Sequence, residues 1–198
     1  MPESTPPLLV LASASPRRSA LLSQIGVFHR VVPAHIDETR RDHEPIDQCV
    51  RRLAEQKALQ VYARLKDPAV PVLGADTAVV VDGEMLGKPR DRDDAVAMLA
   101  RLSAKEHEVI SAVALARYGT VSSKLNRSVV RFRALLPVEC EAYWASGEPR
   151  DKAGAYAIQG LGAVFVQSLR GSYSGVMGLP LLETASLLAA AAVPVWQA

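Results

Sequence analysis

Leu8-Leu9-Val10-Leu11-Ala12 runs directly into Ser13-Ala14-Ser15-Pro16-Arg17-Arg18, and the reading of this one stretch sets the fold class. Five apolar residues followed by turn residues read as a short buried strand. Pro16 has the fixed φ that suits the first position of a helix. A helix is expected over residues 17–25, stopped by Gly26. A strand that hands over to a helix through a polar turn is the repeating step of an α/β protein.

The rest of the chain extends this pattern. Residues 27–32 read as a strand, and residues 39–44 as a charged loop. Residues 45–65 form the clearest helix, ended by Asp67-Pro68. An apolar strand over 70–75 continues as an extended stretch, 77–81. Asp82-Gly83 then turns it into Glu84-Met85-Leu86, a hairpin signal. Asp91 reads as the N-cap of a helix through Leu102. Residues 109–116 are apolar or small on both faces, as in a central strand. Gly119 turns the chain toward a partner strand over 128–134. A short helix over 137–145, a glycine-rich stretch over 154–162, a strand over 163–169 and a final helix over 180–192 complete the pattern. The expected architecture is a mixed α/β sheet with flanking helices in a single domain over 1–198. Residues 1–7 and 193–198 are expected to be tails.

Composition narrows the function. The chain has 198 residues, 49% hydrophobic and 22% charged, which is ordinary globular composition and not that of a disordered chain. A net charge of +2 is too small for a nucleic-acid coat, and 5% aromatics are too few for a base-stacking platform. Cys49 and Cys140 lie far apart with no CxxC pair, so reduced thiols are expected rather than a zinc site or disulfide framework. His29, His35, His43 and His107 show no HxxxH or HxH spacing. The N-terminal segment has no basic n-region, and no apolar run reaches the ~18 residues a membrane span needs. A soluble, cytoplasmic protein is expected.

Four segments carry candidate chemistry. Ser13, Ser15, Arg17 and Arg18 sit between a strand and a helix, where backbone N–H groups and the helix dipole favour anions. The alternative is a capped helix with exposed arginines. No GxxxxGK[ST] occurs, so this is not a P-loop. Asp76, in Gly74-Ala75-Asp76-Thr77, follows four apolar residues, where a carboxylate is costly unless paired, metal-bound or hydrated. The alternative is an Asx-type turn. Lys88 lies in a loop stiffened by Pro89, and by itself reads as a surface lysine. Gln159 follows Asp151-Lys152-Ala153-Gly154-Ala155-Tyr156-Ala157-Ile158, and offers the donor and acceptor that a base edge requires. The alternative is a tight packing loop. To these the helix over 45–65 adds Lys57, which falls in the middle of an apolar face with Leu53 and Val61 four residues to either side. It either snorkels to the rim or reaches an anion in a site.

Together these segments resemble the Maf family of nucleoside triphosphate pyrophosphatases, in particular its dTTP/UTP branch. The similarity runs from Leu11-Ala12-Ser13-Ala14-Ser15-Pro16-Arg17-Arg18 to Gly178-Leu179-Pro180-Leu181. Between them lie Asp37-Glu38, Ala54-Glu55-Gln56-Lys57-Ala58, Gly74-Ala75-Asp76-Thr77, Gly87-Lys88-Pro89, Asp151-Lys152-Ala153-Gly154-Ala155-Tyr156 and Gly171-Ser172-Tyr173. The resemblance implies a Maf/inosine-triphosphatase-like fold with an elongated mixed sheet and two lobes around a central cleft. It implies hydrolysis of dTTP and UTP to the monophosphate and pyrophosphate, a divalent metal (Mg or Mn) and a homodimer. It makes Asp76 the proton acceptor, and gives Ser13, Ser15, Arg17, Arg18, Lys57 and Lys88 to the substrate. Glu38 and Asp76 are the implied metal ligands, with their metal and base roles left undivided. Arg17, Thr77 and Gln159 are the implied specificity residues, and the last two favour the dTTP/UTP branch over the 7-methyl-GTP branch. A nucleotide-binding regulator of cell division or septum formation is the alternative from another class. Two departures stand out. Arg131 replaces a frequent threonine, and Ser103-Ala104 replaces a usual Ser-Gly.

Overall fold

A computed structural model describes residues 9–197. Its elements alternate as the strand–turn–helix start predicts. In chain order they are β1 (Leu9–Leu11), α1 (Pro16–Gln24), β2 (His29–Val31), α2 (Ile46–Tyr62), β3 (Val72–Val81), β4 (Glu84–Leu86), α3 (Arg92–Leu102), β5 (Glu106–Arg117), β6 (Thr120–Phe132), α4 (Pro137–Ala145), β7 (Val166–Arg170), α5 (Tyr173–Met177) and α6 (Leu181–Ala190). The seven strands form one mixed sheet in the order β2-β1-β3-β5-β6-β7, with β4 paired to β3. The α/β class and the flanked mixed sheet are as expected. Residue 8, expected to open the first strand, and the expected tail 1–7 lie outside the described residues.

The chain divides into two compact units. Unit 1 holds residues 1–76, 111–125 and 178–198, and unit 2 holds 77–110 and 126–177. The long strands β3, β5 and β6 contribute residues to both.

In unit 1, β1 runs parallel to β2 and to β3, with Leu11 opposite Val31 and Leu73. Every residue of β1 is buried, which matches its unbroken apolar run. Of the apolar face expected on α2 from Ile46, Cys49, Val50, Leu53 and Val61, the last four are buried and Ile46 is half-buried, and Ala54 and Ala58 are buried with them. At Gly74 on β3 an added Cβ would lie 2.3 Å from the Ala54 carbonyl oxygen and 2.7 Å from the Ala58 nitrogen. The absence of a side chain there lets α2 lie close on the sheet. Residues 193–197, expected as part of a tail, are held. Val193 is buried, Trp196 N–H donates to the Ile25 carbonyl at 2.7 Å, and Gln197 N–H donates to that of Gly26 at 3.1 Å.

In unit 2, β3 turns through Asp82-Gly83 into antiparallel β4, as the hairpin signal predicts. Asp91 caps α3 by accepting from Asp94 N–H at 2.8 Å. The core gathers Phe132, Tyr143, Tyr156 and Phe165 around α3 and α4. His107 is buried among them, edge-on to Phe132, and shares a 2.8 Å hydrogen bond with the Tyr156 hydroxyl. Burial pushes its pKa down to about 4. Two boundaries differ from expectation. Residues 163–165, read as the start of a strand, belong to a 3-10 helix over Leu161–Phe165, and β7 begins at Val166. β6 begins at Thr120, eight residues before the expected start. Ala104, at the family's usual glycine, sits at φ +58°, a left-handed conformation that an alanine adopts at a cost of about 1 kcal/mol.

Candidate active site

The register of unit 1 assembles the site from the sheet outward. Ala12 N–H donates to the Leu73 carbonyl at 2.7 Å. The turn after β1 therefore leaves the sheet beside Gly74-Ala75-Asp76. Ser15 is the N-cap residue of α1 in an extended conformation, and Pro16 follows at the first helical position, as read from the sequence. Ser15's side chain makes no capping bond, and the first turn of α1 holds no acidic residue of its own.

Arg18 lies along this turn. Its Nε–H donates to the Gly178 carbonyl at 2.8 Å, and an NH1 proton is donated to the Ser13 hydroxyl at 3.1 Å. Ser15 N–H also donates to that hydroxyl at 3.2 Å. Ser13 thus ties the turn to the arginine. Burial of the guanidinium pushes the Arg18 pKa down, against the opposing charges of Asp76 and Glu38. Arg17 is partly buried on the same first turn.

Lys57 is the centre of the cluster. It is 7% exposed, on the buried face of α2. Its Nζ donates to Asp76 Oδ1 at 2.7 Å and pairs with Glu38 Oε1 at 2.8 Å. The conflict in the helical pattern has a partner: the ammonium ends on two carboxylates, not at the solvent rim. Asp76 is nearly buried. Burial raises its pKa, and this outweighs the lowering by Lys57 and Arg18, while Glu38 adds a further rise. Its proton affinity exceeds that of an ordinary surface aspartate.

A carboxylate pair meeting at one ammonium has a donor set that fits a hard dication. Mg²⁺ and Mn²⁺ take oxygen ligands, and Mg²⁺ usually keeps waters and uses one or two carboxylates plus substrate phosphates. Among the described residues no group of three or more His, Cys, Asp or Glu side chains could hold a metal. Two carboxylates would leave the remaining ligands of such a dication to water or to a bound ligand.

Unit 2 holds the remaining candidates. Thr77 is partly buried on β3, directly after Asp76. Lys88 is exposed in the loop after β4, and that loop is tied down because Gly154 N–H donates to the Gly87 carbonyl at 3.0 Å. Gly154 has φ +69°, and a Cβ there would lie 2.9 Å from Val79 Cγ1. Gln159 is exposed in the following loop. That loop is braced by Glu148, which accepts from Leu161 N–H at 2.9 Å, Gly162 N–H at 3.0 Å and the Tyr143 hydroxyl at 2.7 Å. The Tyr143 hydroxyl in turn accepts from Ala157 N–H at 3.0 Å.

The structure thus brings Ser13, Arg18, Glu38, Lys57 and Asp76 together in unit 1, and places Lys88 and Gln159 on braced loops of unit 2. Sequence reasoning missed Glu148 and Tyr143. Neither has a spacing signal.

The chain is similar to known proteins along nearly its whole length. The profile of the family described as Maf-like protein matches residues 8–191. A protein of Alcanivorax borkumensis named dTTP/UTP pyrophosphatase is 51% identical over 191 residues, covering 96% of this chain and 98% of that protein. A Bordetella parapertussis protein of the same name is 52% identical over 197 residues, covering 96% and 95%. One from Saccharophagus degradans, again so named, is 49% identical over 191 residues, covering 96% and 91%.

Proposed function

The chain belongs to the Maf family, and on that footing we propose that it is a nucleoside triphosphate pyrophosphatase acting on dTTP and UTP. The products are the nucleoside monophosphate and pyrophosphate. The observation that carries the reading is the Lys57 ammonium held between the Asp76 and Glu38 carboxylates in a largely buried place.

The mechanism follows from these side chains. The cleavage adds a water oxygen to the α phosphorus and breaks the bond from that phosphorus to the oxygen bridging it to the β phosphorus. The water proton goes to Asp76, whose raised proton affinity suits it to accept. Lys57 keeps Asp76 ionised and aimed, and holds Glu38 beside it. Glu38 and Asp76 are the residues that would hold a divalent metal, which supplies charge neutralisation on phosphate oxygens. Arg17, Arg18, Ser13 and Ser15 offer cationic and hydroxyl donors to the phosphate chain at the N-terminus of α1. Lys88 adds a further cation. Such catalysis is mostly positioning and electrostatics. Thr77, Gln159 and Arg17 read the nucleotide, and the Thr77 and Gln159 pair supports the dTTP/UTP branch.

The two units are read as parts of one family domain over 1–198, because the family match runs through both. Among the described residues no helix is long and apolar enough to cross a membrane. A cytoplasmic homodimer is part of the proposal on the family resemblance. The deciding experiment is a nucleotide panel with Mg²⁺ and Mn²⁺, scored for pyrophosphate. It includes dTTP, UTP, dCTP, CTP and 7-methyl-GTP. Preferential pyrophosphate release from dTTP and UTP is expected. Equal turnover of 7-methyl-GTP overturns the branch, and no pyrophosphate from any of them overturns the activity.

A further inference from the structure

Glu38 pairs with Lys57, yet the loop that carries it is not packed into the core. Residues 37–43 are all exposed, and no apolar side chain from this loop is buried in the core. A cavity of about 450 Å³ undercuts the loop, lined by His35, Asp37, Arg41, Gln56 and Gln60 among others. Packing does not hold this loop.

Hydrogen bonds from α2 do. Arg52 clasps Glu44 with both arms, Nε to Oε1 at 2.6 Å and NH2 to Oε2 at 2.7 Å. The same NH2 donates to the Thr39 carbonyl at 3.2 Å, one residue past Glu38. Arg41 N–H donates to Glu44 Oε2 at 3.1 Å, and Arg40 Nε–H donates to the Glu44 carbonyl at 2.7 Å. The Arg52 and Glu44 side chains are 16% and 10% exposed, unlike the loop they hold. The guanidinium holds the Glu44 pKa down at about 2, so the pair stays ionised. At the other end of the loop Gln60 receives His35 N–H and donates to the His35 carbonyl. Arg52, Gln56 and Gln60 follow at intervals of four, along one face of α2. Lys57 rises from the neighbouring face of the same helix.

We propose that the Arg52–Glu44 pair is a positioning device that pins residues 37–43 to α2 and so delivers the Glu38 carboxylate to Lys57. A bidentate arginine fixes direction as well as distance, which a lysine at that position does not. Arg52 touches neither Asp76 nor any substrate-facing group named above. It acts through Glu38.

Two variants of the full-length protein test this, one from each side of the pair: Arg52→Met and Glu44→Gln. Hydrogen exchange comes first, because it does not depend on the activity. The amides of Thr39, Arg41 and Glu44 are expected to exchange on the order of 10-fold faster in both variants, while those of β3 do not change. Kinetics on dTTP come second and rest on the pyrophosphatase reading. In both variants kcat falls about 10–100-fold, the usual effect of losing a group that orients a ligand, with little change in KM. The combination Arg52→Met with Glu38→Gln is no slower than Glu38→Gln alone, because both changes remove the same interaction. Unchanged exchange in Glu44→Gln overturns the pinning, and this variant decides the matter if Arg52→Met does not fold. Faster exchange with unchanged kcat, a rise in KM in place of the fall in kcat, or losses that multiply in the double variant overturn the action through Glu38. Absence of pyrophosphate release by the wild-type protein defeats the pyrophosphatase reading instead, and leaves exchange as the measure of the pin.

Discussion

Replacing Lys57 by methionine keeps the length and packing of the side chain and removes only its charge. In the structure that charge faces Asp76 at 2.7 Å and Glu38 at 2.8 Å. A full charge pair at that distance is worth about 6 kcal/mol at an effective dielectric of about 20. The negative charge is shared by two oxygens and Asp76 keeps some solvent contact, so about half of this, ~3 kcal/mol, is a fair effective value. Removing the ammonium raises the Asp76 pKa further. The wild-type value already lies above 3.8 because of burial, and the neighbouring Glu38 charge pushes the same way. Lys57→Met therefore enlarges the protonated fraction of Asp76 at any given pH. The expected outcome is a kcat loss of about 10²-fold at pH 7, the low end for losing a positioned base. The loss shrinks as pH rises, because the proton is then titrated away. KM changes less than kcat, because the ammonium is held by two carboxylates. The assay is a pH profile of pyrophosphate release from dTTP, with a thermal melt at each pH to confirm folding. A profile with the wild-type acidic limb and wild-type kcat refutes the reasoning and makes Lys57 a core-edge residue.

The other predictions concern the same elements. Asp76→Asn lowers kcat by on the order of 10²–10⁴ and abolishes the acidic limb, which burial of Asp76 raises in the wild type; near wild-type turnover would remove Asp76 as the base. Gly74→Ala drives a Cβ to 2.3 Å from the Ala54 carbonyl oxygen, so α2 must shift, with a loss of about 1–3 kcal/mol in a denaturant titration and a fall in kcat as Lys57 moves off Asp76. His107 has a folded pKa of about 4 against 6.5, so its contribution to stability is complete above 6.5 and is lost as pH falls toward 4. His107→Gln removes that titration, and the drop in Tm between pH 7 and pH 4.5 is expected to be smaller than in the wild type.

The main-chain plan was largely legible because strong periodicities mark it. The apolar run of β1, the capped helix α3 and the Asp82-Gly83 hairpin all read from local chemistry. Lys57 was legible because it breaks a pattern: one charge inside an apolar helical face demands a partner. Its partners were less legible. Asp76 lies 19 residues away, and only the parallel register of β1 and β3, with the close approach at Gly74, brings α2 over it. The early half of β6 was missed because Ser122, Ser123, Lys124, Asn126 and Arg127 leave it without an apolar face. The 3-10 segment before β7 was misread because its apolar residues resemble a strand when only composition is weighed. The Arg52–Glu44 clasp was hidden for a simpler reason. In a charged loop every residue looks solvated, and sequence alone does not say which pair is held.

The bond from Arg18 to the Gly178 carbonyl spans 160 positions. Its consequence is one of timing. The chain is made from its N-terminus, so Glu38, Lys57 and Asp76 leave the ribosome long before Gly178 does. A chain stopped short of α6 has its acid–lysine–acid cluster encoded in full, yet lacks the carbonyl that fixes the guanidinium. Contacts of such long range also form late, because loop closure must come first. The cation expected to meet the phosphates is thus the last part of the site to be secured. A newly made chain gains this Arg18 contact only after Gly178 has been added.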